Sequence, residues 1–352
     1  MNTDYWRHFF EGKVVGDYEV GEFLGAGGFA LVFAAQQQAT GQTVALKLLP
    51  PTAGHDQSEE FHNEGSLLKI LDQSSSVVRI YESREIPYAV PSADGSDIPV
   101  RIAFHALELG FGCLEELVLN RASLRWSDRL DLWRGVVRGV HQMHLKSVAH
   151  RDLKSGNCLV FMRPKNIVES KVADLGRSRN WAGPRLHGPA MYSHGLGDFR
   201  FAPPELLLGL GVDSADCHTR ADLYGLGSVL FELATGQGIT STALGNVHAV
   251  MHNFGALQAS GRAATPDAFL DDYERAYNLF SVSVPPSIRD KAVPLLRQLC
   301  SPLPSARTPK TSNKKNDRAL KPGLDWLIRR VDIVRKSLVE VEVPELSKAG
   351  AS

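Results

Sequence analysis

The fold of this chain is decided by residues 150–157, which read HRDLKSGN. The stretch places Asp152, Lys154 and Asn157 within six positions, and Asp174 follows in the run KVADLG. One aspartate or asparagine in isolation is equally well explained as a helix cap or a turn residue. The combination therefore gains its meaning from the order and spacing of the motifs on either side.

A glycine-rich stretch precedes it near the N-terminus, GAGGFALV at residues 25–32. Glycines let backbone N–H groups approach phosphate oxygens because no Cβ stands in the way. The stretch also fits the dinucleotide fingerprint GxGxxA, but that motif opens a helix and has an acid about 20 residues later. Here an extended run follows, Thr40 and Gly41 supply a turn, and the next strand ends at Lys47 in VALK. A hairpin lid followed by a lysine favours a site that binds nucleotide phosphates over a dinucleotide-binding fold.

Together these motifs resemble those of the eukaryotic-type (Hanks-type) serine/threonine protein kinase family, over about residues 18–307. Among its members the chain looks most like the short, stand-alone kinases of bacteria. The resemblance implies an α+β, bilobal protein-kinase-like fold. A small antiparallel β-sheet lobe with one helix would precede a larger, mainly helical lobe.

Residue patterns agree with that architecture. Short β-branched and aromatic runs between Asp17 and Leu109 predict the sheet, and residues 58–71 predict the helix among the strands. Residues 84–101, rich in Pro, Gly and Asp, predict a long hairpin loop. Helical patterns follow at 126–146, 219–235 and 287–300. The predicted divisions are an N-terminal extension (1–16), an N-lobe (17–109), a C-lobe (110–307) and a basic connector with a C-terminal amphipathic helix (308–352).

The C-terminal segment is locally basic, with ten Lys or Arg against three Asp between Arg307 and Leu338. One apolar stripe of a helix is formed by Leu324, Leu327, Ile328, Val331, Val334 and Leu338. The pattern favours a helix docked on its own domain with a solvated basic face. The alternative is a helix that binds a membrane surface or a partner.

The resemblance assigns a role to each residue of the central motif. Asp152 would accept the proton of the attacking hydroxyl, and Lys154 would neutralise charge on the γ-phosphoryl group. Asn157 and Asp174 would bind Mg²⁺, with Leu175 standing where the DFG motif has Phe.

The same resemblance implies an ATP pocket between the lobes. Lys47 would hold the α and β phosphates, itself held by an ion pair with Glu64 on the small-lobe helix. Glu108 to Gly110 would form the hinge that reads the adenine edge, and the apolar residues would sandwich the ring or simply be core. The predicted ATP-binding residues are Leu24, Gly25, Ala26, Gly27, Gly28, Phe29, Ala30, Val32, Ala45, Lys47, Glu108, Leu109 and Leu159.

Three later residues carry structural roles in the resemblance. Residues 197–205 resemble the end of a kinase activation segment, with residues 203–205, PPE, standing for the family's A-P-E. Glu205 would pair with Arg307, and Asp222 would anchor the catalytic loop from a buried helix.

Three of the departures from the family pattern bear on function. Ala30 replaces the third glycine of the loop, which predicts altered loop mobility with ATP binding retained. Asp198 replaces a threonine, and its carboxylate would repel Asp152 unless Lys154 bridges the two. Residues 155–156, Ser-Gly, replace Pro-Glu and so remove an acid that some kinases use to read basic substrates.

Specificity and regulation follow from two neighbours of Asp152. Lys154 is typical of the serine/threonine class. Arg151 favours regulation by phosphorylation of the activation segment, because an arginine there can pair with a phosphate. The candidate phosphorylation sites are Ser178, Tyr192 and Ser193.

Composition excludes several other classes. The 352 residues are 43% hydrophobic and 22% charged, which is ordinary for a globular protein. Lys plus Arg and Asp plus Glu both number 39, so no global field marks a nucleic-acid or anionic-membrane binder. Four scattered cysteines fit neither a disulfide framework nor a zinc pattern. Without a signal-like segment or a long apolar run, the sequence predicts a soluble, cytoplasmic protein with no integral membrane segment.

The function predicted is transfer of the γ-phosphoryl group of Mg-ATP to Ser or Thr hydroxyls of protein substrates, with ATP and Mg²⁺ as cofactors. One alternative is a small-molecule phosphotransferase of the aminoglycoside type, against which Arg151, the PPE stretch and Arg307 argue. The other is an ATP-binding pseudokinase scaffold, which Asp198 alone favours.

Overall fold

The computed structural model describes residues 3–91, 96–120, 124–163, 167–185, 192, 197–261, 265–309 and 323–338. The smaller of the two main hydrophobic clusters lies on the outer face of an N-terminal sheet, and the larger is centred on the helices that follow. The predicted bilobal α+β fold is confirmed.

The small lobe contains a six-stranded antiparallel sheet in the order β1-β2-β3-β4-β6-β5. Its strands are β1 (Val14–Val15), β2 (Tyr18–Ala26), β3 (Leu31–Gln37), β4 (Thr43–Leu49), β5 (Ile80–Pro91) and β6 (Asp97–Leu107). Successive side chains of a strand point to opposite faces. Leu46 of β4 therefore enters the outer cluster, whereas Lys47 faces the cleft.

Helix α1 (Thr3–Phe10) covers the outer face of this sheet. Its Trp6 and Phe10 are buried, and Phe9 packs edge-on against Tyr88 of β5. The stretch predicted as an N-terminal extension thus adds α1 and β1 to the packing of the small lobe. The division of the chain into four segments otherwise stays a prediction.

The prediction of a long loop over residues 84–101 is wrong, because β5 and β6 stay paired through most of this stretch. Ile86, Tyr88 and Val90 alternate toward the cluster beneath α1. Their burial outweighs the turn signal of the Pro and Gly residues around them. Pro87 is tolerated since β5 is the edge strand and needs no outward hydrogen bond.

Helix α2 (His55–Ile70) lies between β4 and β5 along the chain and packs on the inner face of the sheet. The Gln57 side chain accepts a hydrogen bond from the Gly54 N–H and so caps its first turn. Phe61 stacks on His105 of β6, with the ring centroids 3.9 Å apart. Glu64 lies one turn after Phe61 on the same face, directed to the cleft.

The large lobe is mainly helical. Its helices are α3 (Leu114–Leu119), α4 (Trp126–Leu145), α5 (Pro204–Leu207), α6 (Ala215–Thr235), α7 (Ile239–Leu244), α8 (Val247–Ala259), α9 (Leu270–Ser283) and α10 (Pro286–Leu299). Helix α6 is almost wholly buried; Ser214 caps its start, and Gly236, with φ 77°, ends it. Among the described helices, none is both long and apolar enough to span a bilayer.

Short strands position the loops between the lobes. They are β7 (Gly112–Cys113), β8 (Val148–Ala149), β9 (Cys158–Arg163), β10 (Ile167–Val172) and β11 (Arg179–Asn180). Cys158 of β9 pairs with Val172 of β10, and the Ala173 N–H donates to the Asn157 carbonyl. This pairing brings the end of the HRDLKSGN stretch beside Asp174.

The final helix, α11 (Asp325–Lys336), docks on α4 of its own domain. Leu327, Val331 and Val334 are buried, and Asp332 pairs with Arg134 of α4. The prediction of a docked helix is confirmed. Most of the predicted basic connector, residues 310–322, lies outside the described residues.

Candidate active site

Lys47 lies at the centre of the cleft between two carboxylates. Its Nζ is 2.5 Å from Glu64 Oε2 and 3.1 Å from Asp174 Oδ1. Burial alone would lower the pKa of Lys47, but the carboxylates of Asp174 and Glu64 raise it above its ordinary value. The Lys47 ammonium in turn lowers the pKa of Asp174. The structure therefore joins β4, α2 and the segment after β10 through one fixed cation.

The HRDLKSGN stretch is anchored from below by Asp222 of α6. The Asp222 carboxylate accepts hydrogen bonds from the backbone N–H groups of His150 and Arg151, both at 2.9 Å. His144 Nε2 donates to the same carboxylate at 2.8 Å. Burial would raise the pKa of Asp222, but these hydrogen bonds lower it, so the anchor is an anion. Arg151 sits in the left-handed region, at φ 68°, a conformation that the anchor holds.

Asp152 projects from this anchored backbone toward the cleft, with 11% of its side chain exposed. Asn157 Nδ2 donates to the Asp152 carbonyl at 2.7 Å and closes the loop. The Asp198 N–H donates to Asp152 Oδ1 at 3.4 Å. A Cβ on Gly197 would lie 2.0 Å from that oxygen, so only glycine permits this approach.

A cation missed by the sequence analysis also touches Asp152. Arg177 Nη1 lies 3.6 Å from Asp152 Oδ2, and Arg177 Nε lies 3.5 Å from Glu60 of α2. Arg177 directly follows the DLG motif, but nothing in its spacing shows that its side chain turns back to the catalytic loop.

Asp198 has its own cation. Arg200 Nη2 lies 2.6 Å from Asp198 Oδ2. Burial would raise the pKa of Asp198, but the hydrogen bonds from Arg200 lower it, with a smaller contribution from Lys154. The charge of Asp198 is therefore balanced mainly by Arg200, and the bridge through Lys154 stays a prediction.

Residues 155–156 tie the loop to α6 in place of the family's Pro-Glu. The Ser155 hydroxyl donates to Glu232 Oε1 at 2.6 Å, and its N–H donates to Oε2 at 3.3 Å. Burial raises the pKa of Glu232 to about 7, although these hydrogen bonds oppose the rise. Gly156 leaves room for the carboxylate of Glu115, which lies 3.1 Å from where its Cβ would be.

The residues predicted to surround the adenine are brought together. Val32, Leu109 and Leu159 are half-buried and pack against the large cluster that includes Ala45. Leu24 stays exposed at the rim of the cleft, and Gly110 lies against Leu159. The Glu108 carboxylate pairs with Lys171 at 2.6 Å, which fixes the start of the predicted hinge.

The glycine-rich loop forms the turn between β2 and β3. The Gly27 N–H donates to the Ala30 carbonyl at 2.9 Å, while Ala26, Gly27 and Gly28 are exposed. Ala30 is buried with Leu49 and Phe61. Its methyl group thus packs under the loop. Gly25 and Phe29 are half-buried on either side of the turn.

Glu205 and Arg307 form a buried bidentate pair. Arg307 Nη1 lies 2.6 Å from Oε1 and Nη2 lies 2.7 Å from Oε2. Arg307 is fully buried and also donates to the carbonyls of Ser301 and Arg220. The pair fastens the end of the activation segment to the lobe.

The candidate phosphorylation sites differ in position. Ser178 is 3% exposed, and its hydroxyl donates to the His150 carbonyl at 3.2 Å. Tyr192 is 2% exposed. Neither hydroxyl is open to another enzyme in this conformation. Ser193 lies outside the described residues.

The residues beside Lys47 fit a divalent cation. Asp174 keeps 48% of its side chain exposed to the cleft and is held in the left-handed region at φ 59°. Asn157 commits its amide nitrogen to Asp152, which directs the amide oxygen away from that carbonyl. Carboxylate and amide oxygens are ligands that Mg²⁺ accepts.

The comparison with family models identifies the class of protein. The family model for the protein kinase domain matches residues 18–316 of this chain. This chain belongs to the protein kinase family. Membership implies the use of ATP and a divalent metal in general.

Three curated relatives illustrate the similarity. The chain is 31% identical over 228 residues to CBL-interacting serine/threonine-protein kinase 26 of Arabidopsis thaliana, covering 63% of this chain and 46% of the relative. It is 30% identical to cyclin-dependent kinase B2-1 of Oryza sativa subsp. japonica, over 62% of this chain and 63% of the relative. It is 28% identical to the probable serine/threonine-protein kinase PknB of Bifidobacterium longum, over 63% and 30%. The matches span less than two thirds of each relative.

Proposed function

We propose that this kinase transfers the γ-phosphoryl group of ATP to Ser or Thr hydroxyls of protein substrates, with Asp152 as the base. The observation that carries the proposal is the convergence of Lys47, Glu64, Asp174 and Asp152 at one cleft. Phosphoryl transfer needs little covalent chemistry from the protein, so position and charge supply most of the catalysis.

Each residue then has a defined task. Lys47 binds the α and β phosphates, and the glycine-rich loop covers them with backbone N–H groups. Asp152 accepts the proton of the acceptor hydroxyl, and Lys154 balances charge on the transferred group. A divalent metal held by Asp174 and Asn157 would neutralise phosphate charge.

Specificity for Ser and Thr is supported by Lys154 and by the names of the relatives. The buried pair of Glu205 and Arg307 supports a protein substrate over a small alcohol, since it fastens the activation segment that would face a polypeptide. The pseudokinase alternative depends on Asp198 repelling Asp152. Its support is weaker because the carboxylate of Asp198 is already paired with Arg200.

Intact-mass analysis tests the proposal. Purified protein is incubated with Mg-ATP and a generic Ser/Thr protein substrate, beside Asp152→Ala and Asp152→Asn. We expect mass gains of one phosphate on Ser or Thr that vanish in both variants. ATP binding without any transfer would favour the scaffold, and transfer only to small alcohols would favour the small-molecule phosphotransferase.

A further inference from the structure

A buried carboxylate joins the start of the activation segment to the stretch of chain that follows its end. Asp213 lies between α5 and α6 and is 6% exposed at its side chain. Arg179 Nε donates to Oδ1 at 3.1 Å, His218 Nε2 donates to the same oxygen at 2.8 Å, and Arg185 donates to Oδ2. We call these four residues the Asp213 cluster.

The members of the Asp213 cluster come from distant parts of the chain. Arg179 and Arg185 follow the DLG motif closely, whereas Asp213 lies beyond Glu205 and His218 is on α6. One carboxylate therefore bridges the start of the segment and the element that follows its end. Burial would raise the pKa of Asp213, but the hydrogen bonds from its three partners lower it well below the usual range, so the bridge is anionic.

The bridge continues to the catalytic loop through Tyr192. The Tyr192 ring lies under the guanidinium of Arg151, 4.9 Å from the ring centroid, and under that of Arg179, at 5.4 Å. Its edge also contacts His218. Arg151 immediately precedes Asp152, so the Tyr192 ring links the Asp213 cluster to the residue next to the proposed base.

A phosphate can order a cluster of arginines such as this one, because it brings negative charge and several hydrogen-bond acceptors to the guanidinium groups. In this protein the negative charge comes from the carboxylate of Asp213, an encoded residue, and not from a phosphate. Arg179 also donates to the carbonyls of Gly183 and Pro184, so its guanidinium is occupied on several sides. The hydroxyl of Ser178, in the same stretch, is buried and bonded.

We propose that Asp213 is a positioning residue that supplies this charge permanently, so that Arg179 and Arg185 are held in place for protein substrates without phosphorylation of the activation segment. The proposal rests on the proposed function. It is an alternative to the sequence-based hypothesis that phosphorylation at Ser178, Tyr192 or Ser193 activates the enzyme, and that hypothesis stays a prediction.

The test begins with unphosphorylated enzyme. Wild-type protein is produced with a phosphatase, its mass is verified before and after the assay, and initial rates are measured on a protein substrate. We expect full activity at zero phosphate, unchanged when the enzyme is allowed to phosphorylate itself. An unphosphorylated form that is inactive and gains activity with a phosphate on Ser193, Tyr192 or Ser178 would overturn the proposal.

Variants of Asp213 then separate positioning from folding. Asp213→Asn should raise KM for the protein substrate at least about tenfold while KM for ATP stays within about twofold, since Lys47 and its partners are untouched. Asp213→Glu should recover part of the loss. The matched control is Asp216→Asn, whose exposed carboxylate pairs with Arg220 on the same helix. Equal KM values for Asp213→Asn and wild type would refute the assignment.

The outcomes also distinguish the two proposals. Failure of the proposed function would appear as no transfer to protein from any form, phosphorylated or not. Should Asp213→Asn fail to fold, the unphosphorylated wild type alone decides, because its activity does not depend on any variant.

Discussion

Asp198 and Arg200 form a bidentate ion pair beside the catalytic loop, with Arg200 Nε 3.0 Å from both carboxylate oxygens of Asp198. The Asp198 backbone N–H meanwhile donates to Asp152 Oδ1. An acidic residue that by its sequence position would repel Asp152 therefore has its charge balanced two residues later. The pair allows Asp198 to support Asp152 through its backbone.

Removing this balance should impair substrate phosphorylation. In Arg200→Ala, the Asp198 carboxylate beside Asp152 loses its main cation, so we expect kcat/KM for protein substrate to fall about tenfold, or about 1.4 kcal/mol of barrier. Steady-state kinetics check this. Arg297→Ala, which breaks an exposed pair with Glu274 far from the cleft, should have no effect. The double variant Asp198→Asn/Arg200→Ala should recover activity; a loss equal to that of Arg200→Ala would contradict the charge argument.

The ion pair of Lys47 and Glu64 should control the use of ATP. Glu64→Gln removes one of the two carboxylates that hold the Lys47 ammonium, and Lys47→Ala removes the cation itself. We expect kcat to fall about 10² or more in Lys47→Ala, comparable to the loss of other preorganised charges in active sites. Glu64→Gln should be less severe and raise KM for ATP. Glu59→Gln, five residues earlier on α2, serves as the control; if it were as defective as Glu64→Gln, loss of the Lys47–Glu64 pair would not be the cause.

The buried pair of Glu205 and Arg307 should contribute mainly to stability. Truncating Arg307 leaves a carboxylate buried without a partner, which destabilises proteins by about 3–5 kcal/mol. Arg307→Ala should therefore lower Tm sharply in calorimetry. Arg297→Ala breaks an exposed pair of the same residue types and should change the free energy of unfolding by about 0–1 kcal/mol. Similar Tm values for the two variants would show that burial of Arg307 does not matter.

Glu232 should make stability depend on pH. Its pKa is raised from an ordinary 4.5 to about 7 by burial, so the folded chain holds this proton more tightly than the unfolded chain. The contribution of Glu232 to the free energy of unfolding is therefore fully present below about pH 4.5 and is lost as pH rises through about 7. The whole contribution is at most about 3 kcal/mol. Denaturant unfolding of wild type and Glu232→Gln between pH 5 and 8 measures it. The two curves should diverge as pH rises, whereas Glu274→Gln, on the surface, should follow wild type.

Linear motifs made most of the cleft predictable. Lys47, Glu64, Asp152, Asn157 and Asp174 each stand at a fixed place in an ordered set of motifs, and the fold brings them together. The chemistry proposed for these residues requires one geometry, so the order of their motifs along the chain was enough to predict that they meet in the cleft.

The residues that were missed act through tertiary contacts with no periodicity. Arg177 turns back to Asp152, and Asp213 gathers cations from two other segments. In the small lobe a signal was present: Ile86, Tyr88 and Val90 alternate as in a strand, but the prolines among them masked it. The packing of α1 could not be predicted from its aromatic residues alone, because it depends on the sheet that they cover.

Helix α11 lies beyond residue 316, where the match to the family model stops. Leu327, Val331 and Val334 are buried, and the Leu324 N–H donates to His141 of α4. A recombinant fragment trimmed to residue 316 would lack this helix and present a bare apolar strip along α4. Such a fragment should aggregate during purification, so the practical boundary of a well-behaved catalytic unit in this protein falls after residue 338.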